Sequence, residues 1–190
     1  MKNIGIVIKL TLILLIICAG IFPLFIALVG KLEPNGGKGE TIIVNGKAAG
    51  YANVGQKFTA DKYFWSRPSV VEYNAAGSAG SNKGATNADY LKTVQDRIDT
   101  FLVHNPGIEK SAIPAEMVTA SGSGLDPDIS PASAYVQIKR IAAMRSLPED
   151  QVRSLVEGHV EKPLFGILGP SKINVLKLNV ALDALSANKK

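Results

Sequence analysis

Apolar and polar residues follow several distinct patterns along the chain. From Leu10 to Gly30 no charged residue occurs for 21 positions, with Lys2 and Lys9 before the run and Lys31 after it. At about 1.5 Å per residue a helix of that length spans roughly 31 Å, close to the apolar core of a bilayer, about 30 Å. A cleaved signal peptide has a shorter apolar core, about 7–15 residues, and a small-x-small cleavage site. Ala27-Leu28-Val29-Gly30-Lys31 offers no such site, and Ile17 stands before Cys18 where a lipoprotein needs a small residue. The pattern predicts an uncleaved transmembrane anchor over residues 10–30, running from Leu10 through Gly20 and Pro23 to Gly30, with a short arm over residues 1–9. Pro23 removes one backbone donor, so a kink is expected there. The arm carries Lys2, Lys9 and the amino terminus without an acid, so positive-inside bias places it in the cytoplasm and residues 31–190 outside.

Beyond the anchor, Glu33–Glu40 is a Gly-rich joint. Thr41-Ile42-Ile43-Val44 is a β-branched run closed by Asn45-Gly46, which predicts a hairpin with a return strand from Lys47 to Val54, weakened by Gly50. Residues 63–85 are turn-rich. Helical periods follow. Asn87 caps a stripe of Leu91, Val94, Ile98 and Leu102, stopped by Asn105-Pro106-Gly107. Ser130-Pro131 opens a second helix with Tyr135, Ile138, Ile141 and Ala142 on one face. Ser146-Leu147-Pro148-Glu149 has capping-box spacing before Val152, Leu155, Val156 and His159. Val175, Leu178, Leu182 and Leu185 mark the fourth helix. Strands early and helices late predict an α+β class: one N-terminal transmembrane helix plus a single mixed α+β domain over residues 31–190, outside the cytoplasm.

Composition narrows the function. The chain has 190 residues, 21 Lys and Arg against 16 Asp and Glu, and charged residues make up 19%. The basic surplus forms no run, so a nucleic-acid groove is not expected. One Cys and two distant histidines, His104 and His159, exclude a disulfide framework and offer no metal-ligand spacing. No G-x-x-x-x-G-K-[ST] or G-x-G-x-x-G is present. Ser121-Gly122-Ser123-Gly124 departs from the G-x-S-x-G nucleophile elbow, because Ser121 stands where Gly is required. Asp126-Pro127-Asp128 brings two carboxylates close; they read as a turn before the Ser130 cap, with a cation site or an acid/base pair as the alternatives. Tyr63-Phe64-Trp65-Ser66-Arg67-Pro68-Ser69 crowds three aromatics against Arg67, which suggests stacking on that guanidinium or a core plug. Gly77–Gly84 reads as a surface loop or an anion-binding one.

Tyr63–Ser69, Tyr73-Asn74, Gly80-Ser81-Asn82, Val118–Asp126, Ile129-Ser130-Pro131 and Asn174–Asp183 stand in an order that resembles the KdpC family, the C subunit of the bacterial Kdp potassium-transporting ATPase. Gly20-Ile21-Phe22-Pro23-Leu24 in the anchor also fits. Ser66, Asp128 and Phe22 depart from the residues usual in the family. The resemblance implies a non-catalytic accessory subunit with no catalytic or metal-binding residue. It would sit in the bacterial inner membrane and assemble with a channel-like A subunit, a P-type ATPase B subunit and a small F subunit. The family is described as a catalytic chaperone that raises ATP affinity of the B subunit, so ATP is expected only in the complex and no cofactor on the chain alone. Tyr63, Trp65, Arg67, Asn74, Ser81, Asn82, Ser121, Ser123 and Asp126 are the family-motif and partner-contact candidates. An anchored extracytoplasmic ligand-binding module using residues 63–84, or a hydrolase using Ser121 or Ser123, is the alternative.

Overall fold

The structure is a computed structural model that describes residues 3–187. Lys2 of the arm and the terminal Asn188-Lys189-Lys190 lie outside the described residues. The chain divides into two compact units between Glu40 and Thr41.

In the first unit, helix begins at Ile4, ahead of Leu10, and takes in Lys9. Helix α1 covers Ile4–Ile16 and α2 covers Phe22–Gly30, joined by a π-helical turn over Ile17–Ile21 that includes Gly20. Pro23 explains the turn. Its ring has no N–H and would collide with the carbonyl four residues back, so the ladder widens and the Phe22 N–H reaches the Ile17 carbonyl. Ile4–Gly30 is, among the described residues, the one helix long and apolar enough to cross a membrane: 27 residues, with mean hydropathy 3.1 in its best window. None of it is buried inside the protein. A helix apolar on every side and covered by nothing suits lipid rather than water.

The second unit mixes strands and helices around one core. β1 (Thr41–Val44) and β2 (Lys47–Tyr51) form the hairpin expected from Asn45-Gly46, whose φ values of 51° and 75° both lie in the left-handed region of a two-residue turn. The register slips between Ile42 and Ile43, opposite the stretch holding Gly50, and β2 ends at Tyr51 rather than Val54. α3 (Ala88–His104) starts at Asn87, whose side chain accepts from the Tyr90 N–H at 3.0 Å. Its stripe is not all core. Leu91 is 52% exposed, and Phe101, not in the expected set, is the residue it buries. Only the C-terminal part of α3 has core to lie on.

The second expected helix is broken. Ser130 caps α4 (Pro131–Tyr135), and α5 (Ile138–Arg145) begins after Gln137. The Gln137 carboxamide donates to the Ser133 carbonyl at 2.9 Å, while the Gln137 backbone N–H turns to Ala134 at 3.1 Å. A side chain has taken the acceptor that the continuing helix would use. The expected four helices are therefore five among the described residues of this unit. Ser146 does not open α6 (Glu149–Gly158); it closes α5 at φ 53°, and Pro148 is the residue before α6. The last helix, α7, covers Val175–Ala187. A second two-stranded pair, β3 (Asp128–Ile129) with β4 (Ile173–Asn174), lies among the helices, so the strands are not confined to the early part.

Ile129, Ile138, Ile141, Val152, Val156, Ile173, Val175, Leu178 and Leu182 form the core, with Phe64 and Phe101 inserted into it. At about 25 cal/mol per Å2 of apolar surface, each such side chain contributes about 1.5–3 kcal/mol.

Candidate functional site

Tyr63–Ser69 runs along the core, with Phe64 buried in it, and no strand or helix pairs its backbone. Buried side chains replace the missing ladder. Asn179 of α7 brackets Phe64: its Oδ1 accepts the Phe64 N–H at 2.8 Å and its Nδ2 donates to the Phe64 carbonyl at 2.9 Å. Gln137 accepts the Trp65 N–H at 2.8 Å. Arg140 of α5 donates to the carbonyls of Asp61 and Tyr63, to Asn105 Oδ1 at 2.9 Å and to Gln137 Oε1 at 2.7 Å. Arg145 donates to the Lys62 carbonyl at 2.7 Å and pairs with Asp183. Gln137, Asn179, Asn105 and Arg140 are all buried. Unpaired, each would cost about 1–3 kcal/mol, so the strip and its brackets stabilise one another.

The aromatics meet cations other than the one expected. Arg140 lies 4.6 Å over the Trp65 ring and Arg145 4.8 Å over Tyr63. Burial lowers the Arg140 pKa to about 10, partly opposed by the charge of Asp61, so it stays a cation at neutral pH. Tyr63 donates to Asp183 at 3.0 Å. Arg67 does not stack; its Nη1 donates to Asp126 Oδ2 at 2.8 Å. That bond ties the strip to the second motif.

The second motif is a turn that the first one holds. Ser121 is 2% exposed, and its hydroxyl accepts the Gly124 N–H at 2.9 Å while its own N–H donates to the Pro68 carbonyl at 3.0 Å. Ser123 accepts the Leu125 N–H at 3.1 Å, and its carbonyl takes the Ala79 N–H at 3.0 Å and the Ser78 hydroxyl at 2.9 Å. Gly124 sits at φ 69°, where a Cβ would stand 2.5 Å from Val71 Cγ2 and 2.9 Å from the Ala79 carbonyl oxygen. Tyr73, with φ 59°, donates its hydroxyl to the Arg67 carbonyl. Burial pushes its pKa up to about 12. Glu116 braces the far side by accepting from Ser130 N–H at 2.8 Å and from the Ser133 hydroxyl. Burial raises its pKa, but the bonds from Ser133 and Ser130 outweigh that and hold it below the usual carboxyl value.

The structure thus joins Arg67, Ser121, Ser123 and Asp126 into one stapled loop pair and holds Tyr63 and Trp65 in the bracketed strip. The other candidates lie apart from those contacts. Asn74 is exposed and accepts the Ala76 N–H at 3.0 Å. Asn82 is exposed at φ 51°. Ser81 lines a cavity of about 430 Å3 with Lys83, Asp89 and Arg97. A second cavity of about 330 Å3 is bounded by Phe58, Trp65, Phe101, Met117 and His104.

Neither serine is hydrogen-bonded to a histidine. His104 Nδ1 pairs with Asp61 at 2.8 Å, and His159 Nδ1 donates to the Leu155 carbonyl at 2.8 Å. The two carboxylates of the turn part company: Asp126 goes to Arg67 and Asp128 to Lys172 at 2.7 Å. Within 77–84, the Gly77 N–H is bonded to the Asn74 carbonyl and the Ala79 N–H to the Ser123 carbonyl. Sequence reasoning missed Gln137, Arg140 and Glu116, and saw Asn105 only as a helix stop and Asn179 only as part of a family motif. A signal existed for some: Ser133, Gln137 and Arg140 recur at helical spacing beside apolar core positions.

Fold and site together define a class: a helix long and apolar enough to span a membrane, followed by a small mixed domain whose polar motifs brace its own loops. Comparison with known proteins gives the class its family. The profile described as "K+-transporting ATPase, c chain" (KdpC) matches residues 4–184. The potassium-transporting ATPase KdpC subunit of Flavobacterium johnsoniae is 59% identical over 185 residues, covering 97% of this chain and 100% of that protein. The corresponding subunits of Bacteroides fragilis and Geobacter metallireducens are 53% and 45% identical, covering 94% and 98% of this chain and 95% and 100% of their own lengths. The chain belongs to the KdpC family, the c chain of the potassium-transporting ATPase.

Proposed function

We propose that this chain is a non-catalytic accessory subunit that assembles with a channel-like A subunit, a P-type ATPase B subunit and a small F subunit and stabilises their complex. The observation that carries this is the reach of the family match, which takes in both the apolar helix and the mixed domain. The anchor crosses the inner membrane once, arm inside and domain outside, in line with Lys2 and Lys9 before the span. The engagement of the Ser121 and Ser123 hydroxyls as turn acceptors supports a structural rather than a nucleophilic use.

Two amides of the 77–84 loop, those of Gly77 and Ala79, are bonded to the Asn74 and Ser123 carbonyls and so do not point into a phosphate cradle. A rise in the ATP affinity of the B subunit, with this domain outside the membrane, is a coupling free energy between distant sites, typically about 1–3 kcal/mol, or roughly 5–150-fold. Coupling is reciprocal: ATP should tighten the hold of the complex on this chain by the same factor.

The test is gentle detergent extraction of the tagged chain from potassium-starved cells, with mass spectrometry of what accompanies it. A channel-like subunit and a P-type ATPase in near-equal amounts are expected. The chain alone, with those proteins expressed but unbound, would overturn the assignment.

A further inference from the structure

Between α6 and β4 the chain makes an excursion that the core does not use. Lys162-Pro163-Leu164-Phe165-Gly166-Ile167-Leu168-Gly169-Pro170 folds back on itself. Leu164 and Leu168 exchange both backbone bonds at 3.0 Å, and Gly166 N–H reaches the Pro163 carbonyl at 2.8 Å. At the base, Glu161 and Lys172 pair across the two arms at 2.8 and 3.0 Å. The backbone is thus closed without outside help, and the side chains face out: Phe165 is 84% exposed and Ile167 82%, with Leu164 and Leu168 also exposed. None of the four belongs to the core cluster. Phe165 also holds φ 55°. A bulky residue in the left-handed region is a genuine outlier, of a kind that clusters where a fold presents something.

We propose that this hairpin tip, residues 163–170, is a preformed anchor that inserts into an apolar, uncharged pocket on another subunit of the same ATPase. The inference rests on the assembly reading above and adds which surface of this chain makes the contact.

Several observations select the occupant. From Pro163 to Pro170 there is no side chain that donates or accepts a hydrogen bond and no charge. A charged or polar pocket would leave its own groups unpaired against the tip, so the complement must be apolar. Four large apolar side chains on one rigid turn match the central anchors of protein interfaces, which fill pockets and bind with little ordering cost when preformed. Lipid is the other apolar environment, and the tip lacks what lipid-facing loops carry. It has no Trp or Tyr to sit at the headgroups. It has no basic cluster either: Lys162 stands beside it, while Lys172 is held by Asp128 at 2.7 Å and Glu161 at 3.6 Å.

The test places a photoreactive benzophenone amino acid at position 165 of the tagged full chain in cells expressing the whole operon, with position 157 on exposed α6 as control. A crosslink from 165 to a Kdp subunit other than this chain, absent from 157, is expected; a crosslink only to a second copy of this chain would overturn the proposal. Normal co-purification of the complex with lipid adducts alone at 165, or with no adduct, would overturn the anchor and leave the assembly reading standing. Loss of co-purification by the unsubstituted chain would take down the assembly reading and the anchor with it. As a second readout, Phe165→Asp should cut co-purifying subunits roughly tenfold or more with an unchanged unfolding midpoint. Undiminished co-purification of Phe165→Asp would also sink the proposal.

Discussion

Two irregular segments of this protein meet opposite fates. The strip from Tyr63 to Ser69 and the hairpin tip from Pro163 to Pro170 are both rich in large apolar residues and free of long strands or helices. The strip lies against the core with Phe64 buried in it, and side chains more than 70 positions away bracket it: Gln137 to Trp65, Arg140 to Tyr63, Asn179 to Phe64. The tip satisfies its backbone by itself and leaves its side chains uncovered. The motif residues Arg67, Ser121, Ser123 and Asp126 thus hold the fold together, while the surface proposed for a partner carries no polar motif at all. Specific polar residues are needed where a loop must be buried; only apolar bulk and a rigid turn are needed where one must be received.

The comparison breaks most visibly at Arg140. Arg140→Ala removes the donor for Asn105, Gln137 and two carbonyls at once, and should destabilise the full chain by roughly 4 kcal/mol. Thermal unfolding in detergent reads this; a loss under about 1 kcal/mol would mean that water or neighbours replace the bracket readily. Next comes Gly124→Ala. The new Cβ meets Val71 and the Ala79 carbonyl while φ stays at 69°, so a cost of about 2 kcal/mol is expected. Limited proteolysis should then cut within residues 77–84 or 121–126 first, because those two loops hold each other.

How much of this was legible follows from the range of each interaction. The apolar run, the Asn45-Gly46 turn, the Asn87 and Ser130 caps and the Val175–Leu185 stripe are local signals, and each appears where the residues imply. The break at Gln137 is not local in origin, since its carboxamide serves Trp65, 72 positions away. β3 and β4 have two residues each, too few to show alternation. Arg67 beside three aromatics suggested stacking; Asp126, 59 positions on, claims it instead. The motif residues were picked out by resemblance, but their role as mutual staples needed the fold. An apolar stretch such as Leu164–Leu168 says nothing in sequence about which way it faces.

A smaller effect separates the two regions by pH. Tyr73 is neutral in the fold up to about pH 12 because burial opposes its ionisation, whereas an unfolded tyrosine ionises near 10. A raised folded pKa contributes stability that is complete below pH 10 and is lost as pH rises from 10 toward 12. Glu116 works in the other direction: its depressed value contributes above the ordinary carboxyl range near 4.5 and is lost as pH falls through the folded value. Tyr73→Phe should cost about 1 kcal/mol at neutral pH by losing the bond to the Arg67 carbonyl, and should flatten the alkaline fall. An alkaline limb unchanged by the substitution would assign it to other groups. The tip has no titratable side chain and should contribute nothing to either limb.

The smallest effect has the sharpest sign. If the strip is built for stability and the tip for contact, relieving strain at the tip should help folding and harm assembly. Phe165→Gly removes a bulky side chain from φ 55°, where glycine rests without penalty, and uncovers no core because Phe165 packs against none. Glycine also loosens the unfolded chain, which offsets part of the gain. The net should lie between no change and a stabilisation of about 1 kcal/mol, read as an unfolding midpoint equal to or slightly above that of the natural chain. In the same preparation the co-purifying subunits should fall. A clear loss of stability would show that Phe165 is packed after all and place the tip with the strip. Higher stability with full assembly would leave the strained turn without a purpose. Only the opposed pair of results, a fold no weaker than before and a weaker complex, fits a turn whose strain is kept for its partner.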